Sequence, residues 1–255
     1  MRFDMNVSTF SPELIEKIVR CVEEAVGNDI REDIQRNDLR TTISVPTRIW
    51  DLLNGNILRS LETEDCTIAI AHRGIWQMLI IFEKTTQCII TFMREKRFSE
   101  LRRRQRRRSR MHYIDMLTKQ FNAELLAGQQ QMTLFPHQFS DEDKLAELVQ
   151  MLLHDLGGDA ELVRHHVLVL FQTVDYQLSH IRAVMVTPEL EIACEQNWSQ
   201  YISASESTVV AKVEHPEVPE NQPGRGLTLK PKAIDRQNKK LQRKTVEENK
   251  RIEIK

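Results

Sequence analysis

The sequence predicts an α+β protein: a largely antiparallel sheet, built from a three-stranded meander and a C-terminal hairpin, packed with helices and followed by a disordered tail. Three observations predict it. Apolar residues recur at helical spacing through the first sixty positions. From Cys66 the spacing changes to short runs rich in Ile, Thr and aromatics, separated by turn-like breaks. After Ser203 large apolar residues thin out while Pro216, Pro219, Pro223, Gly224, Gly226 and Pro231 accumulate, a composition that cannot bury enough surface to offset chain entropy. The expected organisation is one domain over 1–203 and a flexible basic tail over 204–255.

Ser11-Pro12-Glu13 reads as a helix start, with a capping hydroxyl, a proline fit for the first turn and a carboxylate at the positive dipole end. Leu14, Ile15, Ile18, Val19, Val22 and Val26 supply its apolar stripe. Gly27-Asn28-Asp29 ends this helix or lets it resume to about Arg36. A second helix is expected after Thr47, carried by Ile49, Trp50, Leu52, Leu53, Ile57, Leu58 and Leu61, with Gly55 weakening it. Residues 67–72, 76–83 and 87–93 then form the meander. Leu79, Ile80 and Ile81 are consecutive, and neighbours on a strand face opposite ways, so this strand is expected to be covered on both faces. One helix is expected from about Phe98 to Leu126, with an apolar face only in its second half (Met111, Ile114, Leu117, Phe121, Leu125). A polar connector follows. Ser140 and Asp143 then resemble a capping box before a helix carrying Leu145, Leu148, Val149, Leu152 and Leu153. Residues 167–174 and 180–187 read as a hairpin around Asp175-Tyr176-Gln177, and 191–201 as a last strand or a short helix.

With 255 residues the chain can bury a sizeable core, and its 40% hydrophobic and 29% charged composition fits a folded body with a polar tail. The four cysteines form no CxxC pair, which argues against a disulfide framework or a Cys-rich zinc site. Met1 to Phe10 lacks the apolar run of a signal peptide, and no stretch approaches a membrane span. A cytoplasmic setting without membrane association is expected. No HExxH, P-loop, GxSxG or GxGxxG pattern is present, so no catalytic residue, metal ligand or cofactor is assigned.

Charge distribution is more informative than net charge, which is −1. Ten basic residues fall between Arg94 and Arg110: Arg94, Lys96, Arg97, Arg102, Arg103, Arg104, Arg106, Arg107, Arg108 and Arg110. Against them stand only Glu95 and Glu100. The stretch 102–110 has no apolar side chain, so as a helix it has no face to bury. Guanidinium groups crowd together there, and phosphates relieve the repulsion while releasing counterions. Flanking Phe98, His112 and Tyr113 are candidates to stack on unpaired bases. The plainer reading is a solvated extension, or arginines matched by carboxylates of the same chain or of an acidic protein partner.

Two further readings concern partners and chemistry. Gln131-Met132-Thr133-Leu134-Phe135 resembles the sliding-clamp-binding peptide of bacterial polymerases and repair proteins, in which Leu134 and Phe135 would fill an apolar pocket and Gln131 would supply hydrogen bonds. Alternatively Leu134 and Phe135 pin the connector to this protein's own core. The element order also loosely resembles the core of restriction-type nucleases, with Asp65, Glu83, Glu95 and Lys96 or Arg97 as the local candidates to hold a metal. Arginine cannot give up a proton, so Glu95-x-Arg97 is a poor substitute for the acid-x-lysine pair. His165 and His166 are adjacent on a strand and cannot chelate one ion together.

Residues 166–170, then 181–186 and Asn197-Trp198-Ser199, resemble an uncharacterised bacterial domain family associated with mobile elements and with toxin–antitoxin or phage-defence loci. The resemblance covers about residues 10–202 and carries no catalytic residues. It implies a regulatory, antitoxin-like or defence-associated protein. The sequence therefore predicts a non-enzymatic binding protein contacting nucleic acid or a protein partner through the arginine segment and tail. A metal-dependent nuclease and a clamp-associated factor of DNA metabolism are the alternatives.

Overall fold

A computed structural model describes residues 10–73, 76–105, 108, 111–126 and 142–203. The predicted tail and the 131–135 peptide lie outside these residues, as does the proposed capping box at Ser140. The described residues all fall within one compact unit.

Three helices come first: α1 (Pro12–Val26), α2 (Asn28–Arg36) and α3 (Val45–Leu61). The Ser11 hydroxyl accepts the Leu14 N–H at 3.2 Å, so the expected cap is formed. Between α1 and α2 only glycine fits without rearrangement, because a Cβ on Gly27 would stand 2.8 Å from the Glu23 carbonyl oxygen. The helix α3 starts before the predicted Thr47, at Val45, with Pro46 in its first turn.

Strands β1 (Cys66–Arg73), β2 (Trp76–Glu83) and β3 (Cys88–Arg94) form the meander, and β4 (His165–Val174), β5 (Gln177–Val186) and β6 (Ile192–Asn197) continue it into one six-stranded sheet in sequence order. The last segment is both things the sequence allowed, a strand followed by a 3-10 turn over Ser199–Tyr201. Every neighbouring pair is antiparallel except β3 and β4, which run parallel from Cys88↔His165 to Arg94↔Phe171. That parallel junction was not foreseen. It requires a crossover, supplied by α4 (Glu95–Arg104), α5 (Tyr113–Phe121) and α6 (Glu142–Leu153). The single helix predicted over 98–126 is therefore two. It breaks where the arginines leave no apolar stripe to hold a third or fourth turn against the sheet.

The sheet is covered on both faces. Ile81, Ile90, Phe92, Val169, Phe171 and Ile181 pack with α1, α2 and α3. Ile80, Phe82, Ile89, Met93, Leu168 and Leu170 pack with α4, α5 and α6. The consecutive Leu79, Ile80 and Ile81 are divided between the two cores, as expected of a strand buried on both sides. Near the end of the unit Trp198 is fully buried, edge-on to Phe10 with ring centroids 6.0 Å apart.

One polar network crosses the middle of the sheet. Asn122, just past α5, donates through Nδ2 to the carbonyls of His166 and Val186, both at 2.9 Å, and its Oδ1 accepts the His166 N–H at 2.9 Å. The buried His166 is hydrogen-bonded through Nε2 to Thr91 Oγ1 at 2.8 Å, across the β3–β4 junction. Complete burial pushes the imidazole down to about 3, so it stays neutral. In the unfolded chain the same ring titrates near 6.5. The unfolded state therefore takes up a proton first as pH falls. The stability due to neutral His166 is complete above about pH 6.5 and is lost as pH drops toward 3. Denaturant unfolding at pH 7.5 and pH 5 should show the wild type losing about 2 kcal/mol from this group alone. The variant His166→Gln should show a loss smaller by that amount.

Candidate functional site

The helix α4 begins where β3 leaves the sheet. Phe98 and Leu101 are buried against the sheet and hold it there. On a helical projection Lys96 and Arg103 fall opposite these two residues, with Arg97 and Arg104 beside them. All four are exposed. Lys96 and Arg103 are separated by roughly 10 Å along the axis. Glu100 lies between them and pairs with Arg97 at 3.5 Å, an exposed contact that neutralises little.

The other basic residues have different surroundings. Arg102 pairs with Glu191, and Gln105 Nε2 donates to the Pro188 carbonyl at 2.9 Å, so the end of α4 is tied to the loop between β5 and β6. Arg108 is not a surface group at all. Its Nη1 and Nη2 donate to the two Asp115 oxygens at 2.6 and 2.7 Å, with side chains 15% and 10% exposed. Asp115 also accepts the His112 N–H at 2.7 Å and so caps α5. The expectation that Arg108 contacts an outside polyanion is corrected by this geometry: it is a buried anchor for the helix that follows. Arg106, Arg107 and Arg110 lie outside the described residues.

Arg94 is separated from the α4 group by the sheet itself. It follows Ile90 and Phe92 at strand spacing and so shares their face, toward α1 and α3. There it lines a cleft of ≈ 310 Å³. Its Nε and Nη2 are buried without a hydrogen-bond partner, and no acidic group among the described residues forms an ion pair with it. Burial pushes its guanidinium down from the ordinary value, though arginine stays charged through such shifts. Assigning Arg94 to the same surface as Arg102–Arg104 is therefore also corrected.

The three residues expected to stack on bases do not form a platform. Phe98, His112 and Tyr113 are 2%, 6% and 7% exposed, so none of the three offers a ring face to a base. The acidic candidates for a metal do not all meet: Asp65 and Glu83 line one cleft, but Glu95 is far from both. Glu83 accepts the Thr85 N–H at 3.0 Å and the Thr86 N–H at 2.7 Å, closing the β2–β3 turn. Glu95 lies beyond the opposite end of β3, roughly 20 Å away for a strand of this length. It accepts Arg182 Nη2 at 2.6 Å and Nε at 3.2 Å, and Arg182 also reaches Glu195 at 2.6 Å. The Glu95 hydrogen bond, more than any other cause, raises the Arg182 guanidinium above its ordinary value. No three His, Cys, Asp or Glu side chains come together to hold a metal among the described residues. Nor is any of their helices long and apolar enough to cross a membrane.

His165 and His166 point to opposite sides, as alternation requires: His165 lies 3.3 Å from Glu124 while His166 enters the core. The cysteines are all free, and Cys21, Cys66 and Cys88 are buried. Burial, with smaller contributions from Glu83 and Asp65, pushes the Cys66 thiol up to about 11. Such a group is an inert packing element rather than a nucleophile.

Over residues 8–248 the chain matches the model of a family of unknown function (DUF5986). The chain belongs to that family. The match runs to residue 248 and so takes in most of the segment after Ser203. No curated protein and no solved structure matches the chain.

Sequence reasoning missed three pairs that organise this region: Arg108 with Asp115, Arg182 with Glu95, and Asn122 with His166. The partners are seven to 87 residues apart in sequence, and no local spacing joins them. A signal for Arg94 did exist, in the alternation Ile90, Phe92, Arg94. Two substitutions separate anchor from surface. Asp115→Ala leaves the Arg108 charge buried and unpaired, and should lower stability by about 3 kcal/mol in urea unfolding. Arg103→Ala should stay within about 0.5 kcal/mol of wild type.

Proposed function

We propose that the protein is a non-enzymatic nucleic-acid-binding protein that grips the phosphate backbone with the outer face of α4. The observation that carries this reading is the set Lys96, Arg97, Arg103 and Arg104, exposed on one side of a helix whose other side is anchored by Phe98 and Leu101. Helix geometry by itself does not account for the charge. The C-terminal end of a helix offers about half a negative charge. Arg102, Arg103 and Arg104 bring three positive charges to that end, and Glu191 answers one of them.

Phosphate contacts of this kind position a protein without reading bases, so binding is expected to be strong at low salt and indifferent to sequence. With Phe98 and Tyr113 buried, recognition rests on the backbone rather than on stacked bases. A duplex is therefore bound at least as well as a single strand. A regulatory role follows from occupancy: a chain that covers phosphates without cutting them controls access to the nucleic acid.

Fluorescence anisotropy with a labelled duplex and a labelled single strand, across a salt series, tests the reading. Wild-type affinity should fall linearly on logarithmic axes. The triple variant Lys96→Glu, Arg103→Glu, Arg104→Glu should bind at least tenfold more weakly, with a salt slope shallower by about 0.9 per lost contact. Its unfolding midpoint should be unchanged. Equal binding by wild type and variant, or a flat salt response, would remove the phosphate contact. Capture of an acidic protein without oligonucleotide binding would replace the nucleic acid by a carboxylate-bearing surface.

A further inference from the structure

We propose that the cleft between the α1–α3 helices and the β4–β5 turn is a binding site for a small carboxylate with an apolar body, with Arg94 as its anion-binding residue. The site lies on the opposite side of the sheet from the exposed face of α4, so it stands or falls independently of nucleic-acid binding.

Arg94 presents an unusual account of its hydrogen bonds. Nε and Nη2 are the two nitrogens along one edge of the guanidinium, the edge that receives a carboxylate bidentately. In this structure both are buried and neither has a partner. Arg108 also has a buried Nε without a partner, but its Nη1 and Nη2 meet Asp115, and Arg182 meets Glu95 and Glu195; Arg94 has no such carboxylate among the described residues. Leaving a desolvated charge unpaired costs several kcal/mol, and proteins retain such groups where a ligand completes them.

The surroundings define the ligand. Val26, Val45, Pro46 and Ile49 make an apolar wall around the ≈ 310 Å³ space, a volume at the lower end for small-molecule sites. Asp175 lines the same cleft, so a ligand with several negative charges is disfavoured while a monoanion is not. The backbone is specialised here too. The β4–β5 register shifts between Gln172 and Thr173, immediately after the Phe171 that faces Arg94. Asp175 and Tyr176 both have positive φ, at 47° and 58°. The carbonyls of these two residues accept Arg31 Nη2 at 3.4 and 3.0 Å, which ties the turn to α2. A bulge and a tight turn of this kind re-aim side chains beside binding sites. Because Nε and Nη2 are buried, ligand binding requires an Arg94 rotamer change that opens this edge to the cleft, at a cost on the order of 1 kcal/mol.

Benzoate and inorganic phosphate distinguish the chemistry. Ligand-observed NMR and calorimetry on the full chain should show benzoate bound with a dissociation constant on the order of millimolar, as befits so small a ligand. Phosphate should bind at least tenfold more weakly. Arg94→Met should lose benzoate binding by tenfold or more. The same variant should unfold at a higher temperature than wild type without ligand, because it removes an unpaired buried charge; this shows that lost binding is not lost folding. Binding of oligonucleotide by Arg94→Met should be unchanged. Benzoate binding retained in Arg94→Met, phosphate preferred over benzoate, or no binding of either probe by wild type would each overturn the proposal.

Discussion

The parallel ladder between β3 and β4 governs the rest of the architecture. Two strands that run the same way cannot be joined by a tight turn, so the chain between β3 and β4 must cross back over the sheet. The helices α4, α5 and α6 occupy one face as a consequence. The opposite face is then left for α1, α2 and α3, which arrive before any strand has formed. Both cores, and the separation of Arg94 from the arginines only a few residues later, follow from this one junction. At the end of β3 the chain passes from the strand to a helix, and Arg94 is the last side chain governed by strand alternation. The helices that follow it, α4, α5 and α6, belong to the other layer.

The junction is secured by polar chemistry as well as by burial. Thr91 and His166 bond diagonally across the ladder, and Asn122 ties the β4 backbone to β5 with three hydrogen bonds of 2.9 Å. These groups have no access to water, so each unmade bond would carry its full desolvation cost. The network therefore fixes where α5 ends relative to the strands beneath it. A purely apolar contact would tolerate sliding; an amide that donates to two carbonyls and accepts one N–H does not.

Much of this fold was legible in the sequence. Alternation and turn chemistry identified the meander, the hairpin around Asp175 and Tyr176, and the two-sided burial of Leu79, Ile80 and Ile81. The Ser11 cap was legible because capping is local. The β3–β4 pairing was not, because the code for a parallel neighbour about 70 residues away is distributed over the crossover that brings it there. The arginine segment was legible as charge but not as geometry. Counting charges treats Arg94, Arg103 and Arg108 alike. Alternation, helical phase and a carboxylate seven residues on place them in a cleft, on a surface and in a buried pair respectively.

The edge-on contact between Phe10 and Trp198 has a consequence for synthesis. A ribosome releases the chain from its amino end, so α1 emerges with a full apolar stripe that α2 and α3 soon cover in part, long before β5 and Trp198 exist. Part of that covering comes from Ile181, Ala183 and Trp198, close to the last described position. The nascent domain cannot mature segment by segment. The helix α1 stays partly uncovered until β5 and Trp198 have followed it, and a chain broken before that point leaves part of the α1 stripe bare.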